Sequence, residues 1–126
     1  MPKQSSYDTV KKERKKAFFL KEISQMIRKL SEDEPVLLDI FPTRVELSPG
    51  EGMCYVYFSS NTGKSGFDEA LGTLILYKSS IRKAVSKIRQ SRYTPDIKFC
   101  YDESFDKSQR VQELLDKASE ELKKKT

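Results

Sequence analysis

The segment SIRKAVSKIRQSRYTPDIKFCYDES, Ser80 to Ser104, joins a basic amphipathic helix to a short strand and an acidic turn. Ile81, Ala84, Val85 and Ile88 recur at three- and four-residue spacing, which gathers them on one helical face suited to a core. Arg82, Ser86 and Arg89 repeat that spacing on a second face, with Lys83 and Lys87 beside them. One helix, ending near Gln90, thus carries a core stripe and a cationic stripe. Pro95 closes the next loop, and Ile97, Phe99 and Tyr101 fall on one face of a strand from Ile97 to Tyr101. Asp102, Glu103 and Asp106 follow. Carboxylates and hydroxyls there suit a helix N-terminus. Metal binding or acid–base chemistry would need convergent geometry that the spacing does not specify.

Upstream, Phe67 to Tyr77 reads as another helix, with Phe67, Ala70, Leu71, Leu74 and Ile75 inward. Met53 to Ser59 is the clearest strand, Cys54, Val56 and Phe58 alternating with Tyr55 and Tyr57. Tyrosines on an open sheet face can stack bases, but core or partly covered positions are expected for this pair. Pro49-Gly50-Glu51-Gly52 is a turn. Val36 to Leu47 reads as a strand kinked at Pro42, antiparallel to Met53–Ser59. A long helix spans about Tyr7 to Leu30, its apolar face made by Phe19, Ile23, Met26, Ile27 and Leu30. Downstream, Lys107 to Leu122 forms a last helix through Val111, Leu114, Leu115 and Ala118, and Lys123 to Lys125 fray. The two helices between the second and third strands form a crossover, so the third strand need not be antiparallel to its neighbour. The expected fold class is α+β, a three-stranded sheet with helices packed on one face.

A chain of 126 residues suits one modest core. The expected organisation is a disordered start at 1–6, one domain at 7–106, and a helix or partly disordered tail at 107–126. The chain has no histidine, the commonest general base and metal ligand. Its two cysteines, Cys54 and Cys100, sit in apparent strands and are expected as free buried thiols. An enzyme is therefore the least expected class, and no catalytic residue, metal, cofactor or small-molecule substrate is expected. No apolar run approaches the roughly 20 residues that span a bilayer, so no membrane partner is expected. The first residues lack the apolar core of a secretory signal, and the cytoplasm is the expected compartment. With no heptad seam, a monomer is expected.

Charge is segregated. Residues 1–30 carry net +6, residues 31–77 net −6, residues 78–98 net +6, and residues 99–126 net −1. Two basic blocks bracket an acidic one, which makes a one-sided electrostatic surface if the blocks meet in space. From Lys78 to Arg92 the charge is purely positive, and three of its cations are arginines, which fork onto phosphates. A phosphate backbone is attracted to such a stripe because each neutralised phosphate releases counterions. The candidate RNA-binding residues are Lys78, Arg82, Lys83, Lys87, Arg89 and Arg92, with Lys11, Lys12, Arg14, Lys15 and Lys16 extending the footprint. Two motifs are set aside. Gly63-Lys64-Ser65 resembles the end of a phosphate-binding loop but lacks the glycine five positions earlier, where Phe58 stands. Gly63-Lys64-Ser65-Gly66 has a Gly-x-x-Gly spacing but precedes both central helices, and reads as a flexible connector.

The Ser80–Ser104 segment resembles the ribosome-binding factor A family through Ile81-Arg82, Arg92, Pro95, Ile97, Phe99, Tyr101-Asp102 and Ser104. Val45-Glu46-Leu47-Ser48, Val56-Tyr57-Phe58-Ser59, Lys21-Glu22-Ile23-Ser24 and Arg110-Val111-Gln112-Glu113-Leu114-Leu115 also fit, in family order. The resemblance implies a KH-like domain of type II order, α-β-β-α-kink-α-β. It also implies binding to the free small (30S) ribosomal subunit and its 16S rRNA, a part in 16S rRNA 5′-end maturation and ribosome biogenesis, and a link to cold adaptation. Family members usually carry an Ala-x-Gly kink between the central helices, and Tyr77-Lys78-Ser79 stands there in this chain. Two rival functions share the composition: a generic RNA- or DNA-binding module without a ribosomal role, and a protein-interaction domain.

Overall fold

The computed structural model describes residues 6–89 and 93–125. Helix α1 (Ser6–Leu30) leads through a 3₁₀ turn (Pro35–Asp39) into strand β1 (Ile40–Leu47). A second 3₁₀ turn (Pro49–Glu51) joins β1 to β2 (Met53–Ser60). Helix α2 (Lys64–Arg89), strand β3 (Asp96–Tyr101) and helix α3 (Glu103–Lys125) complete the chain. The sheet order is β1-β2-β3. Strands β1 and β2 pair antiparallel, with Val45 opposite Val56. Strands β2 and β3 pair parallel, with Val56 opposite Phe99, because α2 carries the chain back across the sheet.

Strand alternation decides which face is covered. Val45, Leu47, Cys54, Val56, Phe58, Ile97 and Phe99 are buried on one face. Against them pack Phe19, Ile23 and Ile27 of α1 and Phe67, Ala70, Leu74, Ile81 and Val85 of α2. Burying each large apolar side chain stabilises the fold by about 1.5–3 kcal/mol, an upper figure since unfolded chains are partly compact. Phe58 sits at the centre, fully buried, its ring 5.8 Å from Phe99 and 6.1 Å from Phe67. The other sheet face carries Arg44, Glu46, Tyr55, Tyr57 and Cys100, all half-buried. The α+β fold with helices on one face is as expected, and Tyr55 and Tyr57 are partly covered. Cys54 and Cys100 are both free thiols, the second only half-buried.

Several boundaries differ from the sequence reading. Residues 36–39 are not strand: Pro35 opens a 3₁₀ turn there, its fixed φ suiting the first position of a helical turn. The irregularity expected at Pro42 is present, as a register shift between Pro42 and Arg44. The two central helices are one. Helix α2 runs unbroken through Tyr77-Lys78-Ser79, where no Gly or Pro interrupts the backbone hydrogen bonds. The loop expected at Gly63–Gly66 is shorter: Gly63, at φ +78°, ends it and Lys64 begins the helix. Ile75 and Ile88, expected inward, are about half exposed. Helix α3 begins at Glu103 and continues to Lys125, so the helix includes residues expected to fray. Of the expected disordered start, residues 1–5 lie outside the described residues and Ser6 already opens α1.

Candidate nucleic-acid interface

The outer face of α2 carries the cations because its inner face is fixed by the core. Lys83 and Lys87 are exposed, and Lys78 is half-buried. Lys78, Ser79, Arg82, Lys83 and Ser86 line one wall of an open cleft of about 410 Å³, with Thr94 and Asp96 opposite. Three cations and two serine hydroxyls facing one carboxylate make a surface that favours an anion with several acceptor oxygens.

Arg82 is committed within the fold. Its Nε donates to the Pro95 carbonyl at 3.1 Å, and its Nη2 donates to the Thr94 carbonyl at 2.9 Å. The guanidinium fork thus clamps the loop that delivers β3, and two of its donors are used there. Among the described residues the buried Thr94 Oγ1 has no hydrogen-bond partner.

The N-terminal block divides in two. Lys16 bonds Glu46 at 2.9 Å and Glu13 at 3.0 Å. These bonds raise the Lys16 pKa, Glu46 contributing most. The same bond from Lys16 holds the Glu46 carboxyl below its ordinary value. Lys15 pairs with Glu51, and that bond lowers the Glu51 pKa, with help from the charges of Lys12 and Arg89. The acidic middle of the chain therefore meets the basic N-terminal block directly. Lys11 and Arg14 are exposed and make no ion pair among the described residues.

The two basic blocks also meet. Helix α1 runs antiparallel to α2, so Phe19 lies beside Arg89, whose guanidinium stands 5.3 Å from the ring centroid, while Met26 and Leu30 lie beside Ile81 and Ala84. Lys15 and Arg89 share a cleft of about 200 Å³ with Gly50, Glu51, Tyr93 and Pro95. Arg92 lies outside the described residues. Of the candidates, Lys78, Arg82 and Lys83 share one cleft, Lys15 and Arg89 share another, and Lys87 stands on the outer face of α2. Ser79, Thr94, Asp96 and Glu51 belong to these clefts and carry no local motif. Only their placement beside the cations reveals them.

The acidic turn after β3 is structural. Asp102 is buried, and its Oδ1 accepts from Ser104 Oγ at 2.7 Å and from the Phe105 N–H at 3.1 Å, capping α3. Its Oδ2 accepts from Thr43 Oγ1 at 2.5 Å and Arg44 Nε at 3.2 Å. Asp106 accepts from Tyr101 and from Ser59. The helix-initiation reading of this cluster holds. No group of residues that could hold a metal occurs among the described residues, and no described helix is long and apolar enough to cross a membrane.

The profile of the family described as ribosome-binding factor A matches residues 11–115. A ribosome-binding factor A of Coprothermobacter proteolyticus is 31% identical over 116 residues, covering 92% of this chain and 80% of that protein. One of Aromatoleum aromaticum is 30% identical over 96 residues, covering 76% and 75%. The crystal structure of ribosome-binding factor A from Thermus thermophilus superposes with a TM-score of 0.61 at 21% identity. It covers 71% of this chain and 94% of its own, and it shares the KH-like α+β fold.

Proposed function

The chain belongs to the ribosome-binding factor A family, and from that premise we propose that it is a ribosome assembly factor that docks on the small (30S) ribosomal subunit. The docking surface holds 16S rRNA and supports maturation of its 5′ end. The observation that carries this reading is the cationic outer face of α2. Lys78, Lys83 and Lys87 stand there without an ion-pair partner among the described residues, and hydroxyls of Ser79 and Ser86 lie between them.

The action is binding. Lys78, Lys83 and Lys87 neutralise phosphates and release counterions. Lys11, Lys12, Arg14 and Arg89 extend the contact around the adjoining end of α1, and Arg92, outside the described residues, is a further candidate contact. Arg82 serves chiefly by fixing the loop that shapes the cleft. Holding one rRNA conformation better than its alternatives shifts the population toward it by the differential affinity alone. The unit works in the cytoplasm as a monomer. Its RNA-binding part is residues 7–106, and it needs no cofactor.

Co-sedimentation with separated ribosomal subunits across a salt series tests this. Selective binding to the small subunit that weakens as salt rises is expected. Equal binding to both subunits would reduce the protein to a generic nucleic-acid binder. No binding at low salt would move the function to a protein partner.

A further inference from the structure

The cleft between the β1–β2 turn and the adjoining ends of α1 and α2 holds an anion already. Glu51 projects from the turn into a site where Lys15 contacts its carboxylate, Arg89 lines the wall and Lys12 acts through its charge. Two cations line the cleft with one carboxylate and Lys12 adds its charge from outside the lining, so the site remains positive with Glu51 in place. The fork of Arg89 lies near Phe19 and makes no ion pair among the described residues, leaving donors suited to a phosphate.

The backbone that presents Glu51 is unusual. Gly50 has φ +78° and Glu51 has φ +59°, the left-handed region that side-chain-bearing residues seldom enter. The carboxylate is thus delivered by a tight three-residue turn and not by the sheet or a helix. It can leave the cleft without disturbing strand pairing. The turn is also close to the loop before β3: a Cβ added at Gly52 would lie 3.1 Å from the Tyr93 hydroxyl.

We propose that this cleft is a phosphate site whose occupant in the free protein is the Glu51 carboxylate, displaced when an RNA phosphodiester binds. The proposal rests on the RNA-binding reading above and adds to it an internal competitor. A phosphodiester carries one negative charge and acceptor oxygens, as a carboxylate does, and so satisfies the same donors. Each RNA phosphate bound here must first break the Lys15–Glu51 pair. Glu51 therefore lowers affinity for any polyanion, and only an RNA whose phosphates register with both clefts at once recovers the loss.

The test compares wild type, Glu51→Gln, Glu51→Gly, Lys15→Gln and the double variant Glu51→Gln/Lys15→Gln. Binding is read by anisotropy of a labelled single-stranded RNA oligonucleotide and by co-sedimentation with small ribosomal subunits. Removing the carboxylate is expected to tighten binding about two- to fivefold, the range of a partly exposed ion pair. The plot of log affinity against log salt is expected to steepen by about 0.7, since one more cation meets phosphate. In the Lys15→Gln background the gain is expected to vanish. Glu51→Gly suits the left-handed backbone and guards against a folding defect. Wild type that binds, with both Glu51 variants unchanged or weaker, would overturn the displacement alone. So would a gain that persists without Lys15, which would be a long-range charge effect. Wild type that binds neither probe would overturn the RNA-binding reading and this proposal together.

Discussion

Asp102 shows what a single carboxylate does when every lone pair is used. Burial alone would raise its pKa, but hydrogen bonds from Ser104, Thr43 and the Phe105 N–H, with the charge of Arg44, outweigh that and hold it below its ordinary 3.8. A carboxyl with a depressed folded pKa adds stability above its unfolded pKa and loses it as pH falls through the folded value. Wild type is expected to lose stability below about pH 3.8, with that part of the loss missing in Asp102→Asn. At neutral pH the same variant is expected to cost about 1–3 kcal/mol, because Thr43, Arg44 and the α3 N-terminus lose an ionised acceptor. Denaturant titrations at several pH values check both, and parallel pH profiles for the two proteins would refute the first. Gly66 is the complementary case of space. A Cβ there would fall within 2.1–2.3 Å of Thr62 Oγ1, Ser60 Oγ and Asp39 Oδ2. Those atoms already bond one another at 2.6–3.1 Å, so none yields freely. Gly66→Ala is expected to cost about 1–3 kcal/mol. A neutral effect on the unfolding midpoint would mean the start of α2 shifts easily. The sequence offered Gly63-x-x-Gly66 as a connector, and only the packing of Thr62, Ser60 and Asp39 around it explains the second glycine.

Helix α2 holds a single phase from end to end. Phe67, Ala70, Leu74, Tyr77, Ile81 and Val85 follow at three- and four-residue steps, and all but half-buried Tyr77 are fully buried. The break expected at Tyr77-Lys78-Ser79 came from reading two amphipathic segments as separate helices, a division the family resemblance also implied, whereas the apolar stripe runs through it in one phase. Ser79→Pro removes a donor in mid-helix and drives its ring against the carbonyl one turn back, an expected cost of about 3 kcal/mol or more. A loss below about 1 kcal/mol on denaturant unfolding would place a break there after all. Helix α3 behaves otherwise. It is fixed at its start by Asp102 and by the Phe105–Phe41 ring contact, but Val111, Leu114, Leu115 and Leu122 stand more than half exposed. Its amphipathic spacing was legible as a helix, but periodicity cannot say whether a partner exists to cover the stripe.

Across the whole molecule, tertiary pairing redistributes the sequence charge. The acidic middle sends Glu46 and Glu51 to Lys16 and Lys15, which removes part of the N-terminal block from the open surface. In the second basic block Lys83 and Lys87 are exposed and Lys78 half-buried, and none of the three makes an ion pair among the described residues. Replacing Lys83 and Lys87 by Gln is expected to leave the unfolding transition in place, since neither packs in the core. Binding to small subunits is expected to weaken, with the salt slope falling by about 1 for each phosphate that is no longer neutralised. An unchanged slope would remove the outer face of α2 from the interface.

The sequence alone determined the three strand centres, the main apolar stripe of each packed helix and the existence of two basic blocks, because period-2 and period-3.6 patterns and net charge are local properties of the chain. It also carried the family likeness in the Ser80–Ser104 segment. The tertiary structure decided which cations remain available. Arg82 turned out to clamp Pro95 and Thr94, and Lys15 to face Glu51 across 36 residues of sequence. Such pairings depend on where the sheet and crossover bring distant side chains, and an ion pair or a shared cleft leaves no spacing in the sequence from which to read it.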